Sequence, residues 1–345
     1  MSDGASPPDA RAVAGAFGIG DPREAMNLVS GGLTNRIWRL TTTSGTYAIK
    51  QMAPVLERAS LIEWTERAFR LERAAIANGV EAPVPVPTVD GGRCLAELGQ
   101  AESATGGLIR VHEWVEAERV PPVVFPPDEV RRVGRILARV HALDIPAADI
   151  AREALRVEGE DFWFSLVEQV ERTDLPWAWE LRAYVPLVLD VEAYVRAARD
   201  DGTPLILSHR DADQKNVMRT PDDRLLLVDW DAAGPVNPRH DLANMALTWA
   251  GVHLGEPDAR AVRAFLDGYR DAGGNIDRFE RTDLAEMVSV QQWWLERNIR
   301  RALGGPKFDA AQVSAAREGV PQILRRDKLR RYLRHIDRWI AMLNG

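Results

Sequence analysis

The chain has 345 residues, 46% hydrophobic and 28% charged, a composition that excludes a disordered chain and leaves room for two lobes or domains. Its 44 basic and 51 acidic side chains give a formal net charge of −7, which argues against a nucleic-acid partner and favours neutral or cationic ones. The single cysteine, Cys94, rules out an internal disulfide, and no signal peptide or membrane span is legible, so a cytoplasmic protein with no membrane partner is expected.

Residues 1–25, rich in Ala, Gly, Pro and Asp, read as a flexible tail. From Met26, MNLVSGGLTNRIWRLTTTSGTYAIKQ alternates apolar and polar residues around turn signals at Ser30-Gly31-Gly32 and Ser44-Gly45, which predicts three antiparallel strands. A helix follows over roughly Ala59 to Asn78, closed by Gly79; the Pro-rich APVPVPTVDGG then leads to strands around Arg93 to Leu98 and Leu108 to Trp114. After Pro127 the period becomes helical, with PDEVRRVGRILARVHALDI the clearest amphipathic case. Short strands near Leu205, Val217 and Leu225 interrupt the helices, which resume at His240. The expected architecture is α+β: a five-stranded antiparallel lobe over 26–116, a mainly helical lobe over 117–345, and a cleft between them.

Within that helical half, ILSHRDADQKNVMRTPDDRLLLVDWD places His209, Asp211, Asn216, Asp229 and Asp231 among apolar strand residues. Carboxylates and an amide are costly to bury without partners. A hairpin that brings Asn216 and Asp229 together supplies hard oxygen ligands suited to Mg²⁺ on a nucleotide's phosphates. Asp211 would then accept a proton from an attacking hydroxyl. The alternative is a loop whose Asp and Asn side chains cap turns.

His209-Arg210-Asp211 with Asn216 matches H-R-D-x4-N, Asp229 follows Asp211 by 18 residues, and Lys50 in TYAIKQ matches a V-A-I-K lysine. In these residues the chain resembles the protein-kinase-like superfamily, and more closely its aminoglycoside phosphotransferase and choline kinase branch, from about Met26 to Met245. The resemblance implies Lys50 on the α- and β-phosphates of ATP, with GTP left open, and Glu72 orienting it; Glu66 on the same helix is the rival. It also implies a phosphate loop at Ser30, Gly31, Gly32 and Asn35, although the G-x-G-x-x-G pattern is absent and a plain hairpin turn remains open. RVHEWVEAERV resembles the hinge, where main-chain groups near Glu113 and Val115 would meet adenine, although the usual Gly is Ala117. Asp231 stands either as a second carboxylate toward metal or substrate, or as a turn residue.

Only 11 residues separate Asp229 from Asp241, too few for an activation loop and peptide platform, so the acceptor is expected to be a small hydroxylated molecule. The large lobe combines carboxylates such as Asp174 and Glu296 with tryptophans such as Trp293, a mixture that would favour a cationic substrate, an antibiotic among the possibilities. A solvated acidic face over buried tryptophans has the same composition. The expected protein is an ATP- and Mg²⁺-dependent kinase, monomeric or homodimeric. A metabolic kinase of an amino alcohol or sugar, and a non-catalytic nucleotide-binding module, are the alternatives.

Overall fold

The computed structural model describes residues 7–29, 35–53, 57–98, 107–121, 125–147, 155, 157–199, 203–305, 308 and 310–345. Ser30, Gly31 and Gly32 lie outside these residues. The chain divides into two compact units, the first made of Met1–Pro122, Ile136–Asp144 and Leu207–Gly234, the second of Val123–Arg135, Ile145–Ile206 and Pro235–Gly345.

The first unit opens with helix α1 (Ala10–Phe17), where a loose tail was expected. Asp9 caps it by accepting from the Ala12 N–H at 2.8 Å, and Gly18 ends it at φ 64°. Val13 and Phe17 bury against the sheet, and this packing holds a helix too short to persist alone.

The sheet contains β1 (Asn27–Val29), β2 (Arg36–Thr41), β3 (Thr46–Gln51), β4 (Pro85–Val86), β5 (Ala96–Glu97) and β6 (Leu108–Glu113), all pairs antiparallel. The order is β1-β2-β3-β6-β4, with β5 also paired to β6. This is one strand more than the five expected: Pro85–Val86 forms an edge strand, a place where proline's missing N–H is tolerated.

The strand period of two decides what each face does. Trp38, Leu40, Ile49, Ile109 and Val111 bury with α1 residues in one cluster. Ala48 opposite His112 and Lys50 opposite Arg110 project from the other face. Helix α2 (Arg58–Ala77) adds Leu61 and Phe69 to a second cluster with Met52, Cys94, Leu95 and Leu108. Its C-terminus closes through Gly79 at φ 81°, with the Val80 N–H donating to Ala75 O and the Gly79 N–H to Ile76 O. A second sheet in the same unit joins β7 (Glu118–Arg119), β9 (Val217–Arg219) and β10 (Leu225–Leu227); the short strand β8 (Ile206–Ser208) lies between β7 and β9 in the chain and belongs to another sheet.

The second unit is helical: most of α3 (Pro127–His141), then α4 (Glu160–Glu171), α5 (Ala178–Arg199), α6 (Pro238–Trp249), α7 (Ala259–Asp271), α8 (Ala285–Leu303), α9 (Ala310–Arg326) and α10 (Lys328–Asn344). Gly134 and Gly268 let α3 and α7 touch through their backbones; a Cβ would meet Phe265 O at 2.1 Å or Arg131 O at 1.9 Å. Buried Glu192 accepts from the Gly159 N–H at 2.8 Å and the Trp163 Nε1–H at 2.7 Å, satisfying the start of α4. Among the described residues no helix is long and apolar enough to cross a membrane.

Candidate active site

A pocket of about 400 Å³ in the first unit is walled by Ile37, Ala48, Met218, Leu226 and Val228 and carries Lys50, Glu72, Arg110, Lys215, Asn216 and Asp229. Because β3 alternates, Lys50 sits on the pocket face while its neighbour Ile49 is in the core. Its Nζ lies 2.7 Å from Asp229 and 2.7 Å from Asp231. Burial works to lower the Lys50 pKa, but Asp231 and Asp229 outweigh it and hold the ammonium above its ordinary value. Asp229 is held below the usual carboxylate range, burial being overcome by Lys50. It occupies the left-handed region at φ 64°, a conformation aspartate tolerates better than most residues.

Glu72 does not take Lys50 as its partner, as the helix position had led us to expect. Its Oε2 accepts from Arg110 Nη2, and its Oε1 lies 3.1 Å from His112 Nε2. Two basic side chains projecting from the same face of β6 thus claim both carboxylate oxygens. Burial opposes ionisation of Glu72, but His112 and Arg110 keep its pKa below the ordinary value. Glu66, the rival, accepts from the Cys94 N–H at 3.0 Å.

Asp231 takes over the bridging position. It pairs with Lys50, lies 3.4 Å from Arg110 Nη1, and accepts from Asn35 Nδ2 at 2.5 Å, while its main-chain oxygen accepts from Trp64 Nε1 at 2.9 Å. Asn35 in turn accepts from the Ala53 N–H at 2.8 Å. So Asn35, expected on the phosphates, ties the base of the β1–β2 connection to Asp231.

His209, Asp211, Lys215 and Asn216, in the segment expected to be the catalytic loop, are bonded to one another or to neighbouring main chain. The Asp211 N–H donates to His209 Nδ1 at 3.3 Å, and His209 Nε2 lies 3.1 Å from Val228 O, a pattern that assigns the ring proton to Nε2. Buried His209 also meets Trp230 edge-on at 4.7 Å. Asn216 Nδ2 donates to Asp211 O at 2.7 Å and to Asp211 Oδ2 at 2.9 Å, which leaves Asn216 Oδ1 for a cation. Lys215 Nζ lies 2.6 Å from Asp211 Oδ1. Burial pushes the Asp211 carboxyl up to about 6, against the pull of Lys215.

Among the described residues no three His, Cys, Asp or Glu side chains are grouped as a metal site. The donor set that fits a hard divalent cation is the amide oxygen of Asn216 with the Asp229 carboxylate, a pair that suits Mg²⁺ completing its shell with phosphate oxygens and water. Glu113, Trp114, Val115 and Ala117 line the pocket where the hinge was expected. The Glu113 and Trp114 N–H groups are used by Val84 O and Thr46 O, at 2.8 and 2.9 Å.

The residues expected to read the substrate do not form an open anionic surface. Glu296 is mostly buried and bonded to Arg300 at 2.8 Å, Trp293 lies under the Arg297 guanidinium at 5.1 Å, and Asp174 is an exposed turn residue at φ 53°. The chain's own arginines thus occupy the Glu296 carboxylate and the Trp293 face.

Sequence reasoning missed Arg110, Trp64, Asp213 and Lys215. For Arg110 a signal existed: a lone arginine between Ile109 and Val111 in an apolar strand needs a buried partner.

The α+β fold is that of the kinase-like phosphotransferases. The family model described as the phosphotransferase enzyme family matches residues 26–276, and the chain belongs to that family. A comparison with curated proteins found no match. Among solved structures, the chain is similar to a spectinomycin phosphotransferase in complex with ADP and spectinomycin (15% identity, 93% of this chain and 97% of that one, TM-score 0.59). It is also similar to an amicoumacin kinase bound to AMP-PNP and Ca²⁺ (14% identity, 92% of each chain, TM-score 0.59). A choline/ethanolamine kinase family protein from Mesorhizobium loti matches as well (16% identity, 97% of each chain, TM-score 0.54). Identities of this order establish the fold and do not select a substrate.

Proposed function

We propose that the protein transfers the γ-phosphate of ATP, with Mg²⁺, to a hydroxyl of a small molecule. The observation that carries this reading is the meeting of Lys50 and Asp229 at 2.7 Å in one pocket with Asn216, whose amide holds the Asp211 carboxylate. Lys50 supplies a positive charge for the α- and β-phosphate oxygens, with Asp229 and Asp231 setting its position. The apolar walls formed by Ile37, Ala48, Met218 and Leu226 suit a purine, whose edge would meet the Glu113 carbonyl and the Val115 N–H. Ser30, Gly31 and Gly32 belong to the expected phosphate loop. Asn216 Oδ1 and Asp229 would hold Mg²⁺, which when bound neutralises phosphate charge.

Asp211 orients the acceptor hydroxyl and takes its proton as the oxygen attacks the γ-phosphorus. The bond to the bridging oxygen breaks and ADP leaves. The acceptor is defined here by its hydroxyl rather than by positive charge, because Glu296 is already paired with Arg300. An antibiotic is the first acceptor to test, since the spectinomycin phosphotransferase is among the similar structures.

The experiment is a phosphate-transfer screen with Mg-ATP over aminoglycosides, other hydroxylated antibiotics, amino alcohols and sugars. At least one compound is expected to become phosphorylated. Thermal stabilisation by Mg-ATP with neither transfer nor ATP hydrolysis would instead identify a nucleotide-binding module.

A further inference from the structure

We propose that a cavity between helices α5, α8, α9 and α10 binds a phosphate group, held by Arg326, Lys328 and the Gln291 amide. The inference stands apart from the phosphotransferase reading, because every residue lining this cavity belongs to the second unit. The cavity has a volume of about 70 Å³. At ~10–15 Å³ for each water-sized position, that is room for about five such positions, the scale of one tetrahedral oxyanion and too little for a nucleotide.

An abrupt corner brings the two cations together. Helix α9 ends at Arg326 and α10 begins at Lys328, with Asp327 alone between them in the left-handed region at φ 45°. The Asp327 carboxylate is taken up by other donors: Oδ1 accepts from the Tyr184 hydroxyl at 3.0 Å and Oδ2 from Arg330 Nε at 2.6 Å. Among the described residues no carboxylate pairs with Arg326 or Lys328, and the Gln291 amide has no hydrogen-bond partner.

Lys328 is the residue that the fold does not explain. A basic residue in the last turn of α9 suits that helix's dipole, so Arg326 has a structural use of its own. A lysine at the first position of α10 has none, because the dipole there favours negative charge. Burial pushes the Lys328 ammonium below its ordinary pKa, and Arg331 and Arg326 push it further. Burial, like charge and dipole thus all act against Lys328, and a bound anion reverses the last two. The donors suit phosphate: a planar guanidinium, a compact ammonium and a neutral amide converge on one small space. Leu295 and Ile323 add apolar wall, which strengthens these contacts by excluding water. Trp294, which also lines the cavity, carries the Arg301 guanidinium over its ring at 5.9 Å, a third positive charge close by.

The test is calorimetric titration of the whole, nucleotide-free protein at constant ionic strength with inorganic phosphate, phenyl phosphate and, as a carboxylate control, acetate. The wild type is expected to bind phosphate saturably and to gain Tm with it. Lys328→Met and Arg326→Met are each expected to weaken binding at least about tenfold, the effect of one lost charge-assisted hydrogen bond. Without phosphate, Lys328→Met is expected to melt at or above the wild-type Tm, since an opposed charge is removed. Phenyl phosphate binding as tightly as inorganic phosphate would identify a phosphorylated molecule as the source of the group, weaker binding the free ion, and either supports the site. Unchanged phosphate affinity in Lys328→Met would put binding elsewhere, the Lys50 pocket included, and overturn the proposal. Acetate binding as tightly as phosphate overturns it too, as does a lowered Tm of phosphate-free Lys328→Met, because Lys328 would then serve the fold alone.

Discussion

The two walls of the pocket carry charge in opposite ways. On the sheet wall, Lys50 exposes 10% of its side chain, and Glu72 and Arg110 1% each. On the loop wall, Asp211 exposes 35% and Lys215 46%. Desolvation costs several kcal/mol per ion, so buried ions need partners, and on the sheet wall Glu72, His112, Arg110, Asp231 and Lys50 form a connected chain of pairs. Ion pairs nearer water hold more loosely and can exchange partners during a reaction. Damage to the sheet wall should therefore be read as lost stability or binding, and damage to the loop wall as lost turnover.

The largest effect is expected at Asp229, which serves both walls. Asp229→Ala removes the carboxylate from Lys50 and from the metal donor set, so Mg²⁺-dependent nucleotide binding should fall below detection in calorimetry while the circular dichroism spectrum stays folded. Next is Arg110→Met, which leaves Glu72 buried with His112 alone and should cost about 3–5 kcal/mol in denaturant unfolding, the range for breaking a buried pair. Glu72→Gln added to Arg110→Met removes the orphaned charge and should restore part of the loss. Since the folded-state pKa of Glu72 is held below its usual value near 4.5, its contribution to stability is present above about 4.5 and lost as pH falls through the folded value. The gap between wild type and Arg110→Met should therefore narrow in acid. A gap that persisted unchanged at low pH would remove the pair from the account.

The smallest effect is the pH dependence on the loop wall. Burial raises the Asp211 pKa to about 6, so the base is ionised above that value and protonated below it. The kcat/KM should fall about tenfold per pH unit below 6. An acid limb near the ordinary aspartate value would mean that the loop wall is wetter than the structure describes.

How much was legible beforehand depends on whether the signal was local. Lys50, Asp211, Asn216 and Asp229 stood out as polar residues in apolar segments that match the motifs of the resembled superfamily; in the structure Lys50 meets Asp229, and Asn216 meets Asp211. Helix α2 was found by its period and its closing Gly79, but period alone cannot say which group Glu72 meets; that follows from β3 pairing β6, which sets Arg110 opposite Lys50. Helix α1 was missed because its Ala-rich sequence gains order only by packing Val13 and Phe17. Composition offered Glu296 as a substrate residue but could not show its pairing with Arg300, four residues further along the same helix, where such pairs form.

In the proposed reaction everything turns on Asp211 accepting the proton of the acceptor hydroxyl during phosphoryl transfer. The most direct measurement is the single-turnover rate of Asp211→Asn beside its dissociation constant for Mg-ATP. A rate lower by roughly 10²–10⁴, the range for a removed general base, is expected, with nucleotide binding close to wild type. An Asp211→Asn protein that transfers phosphate at the wild-type rate would contradict that role.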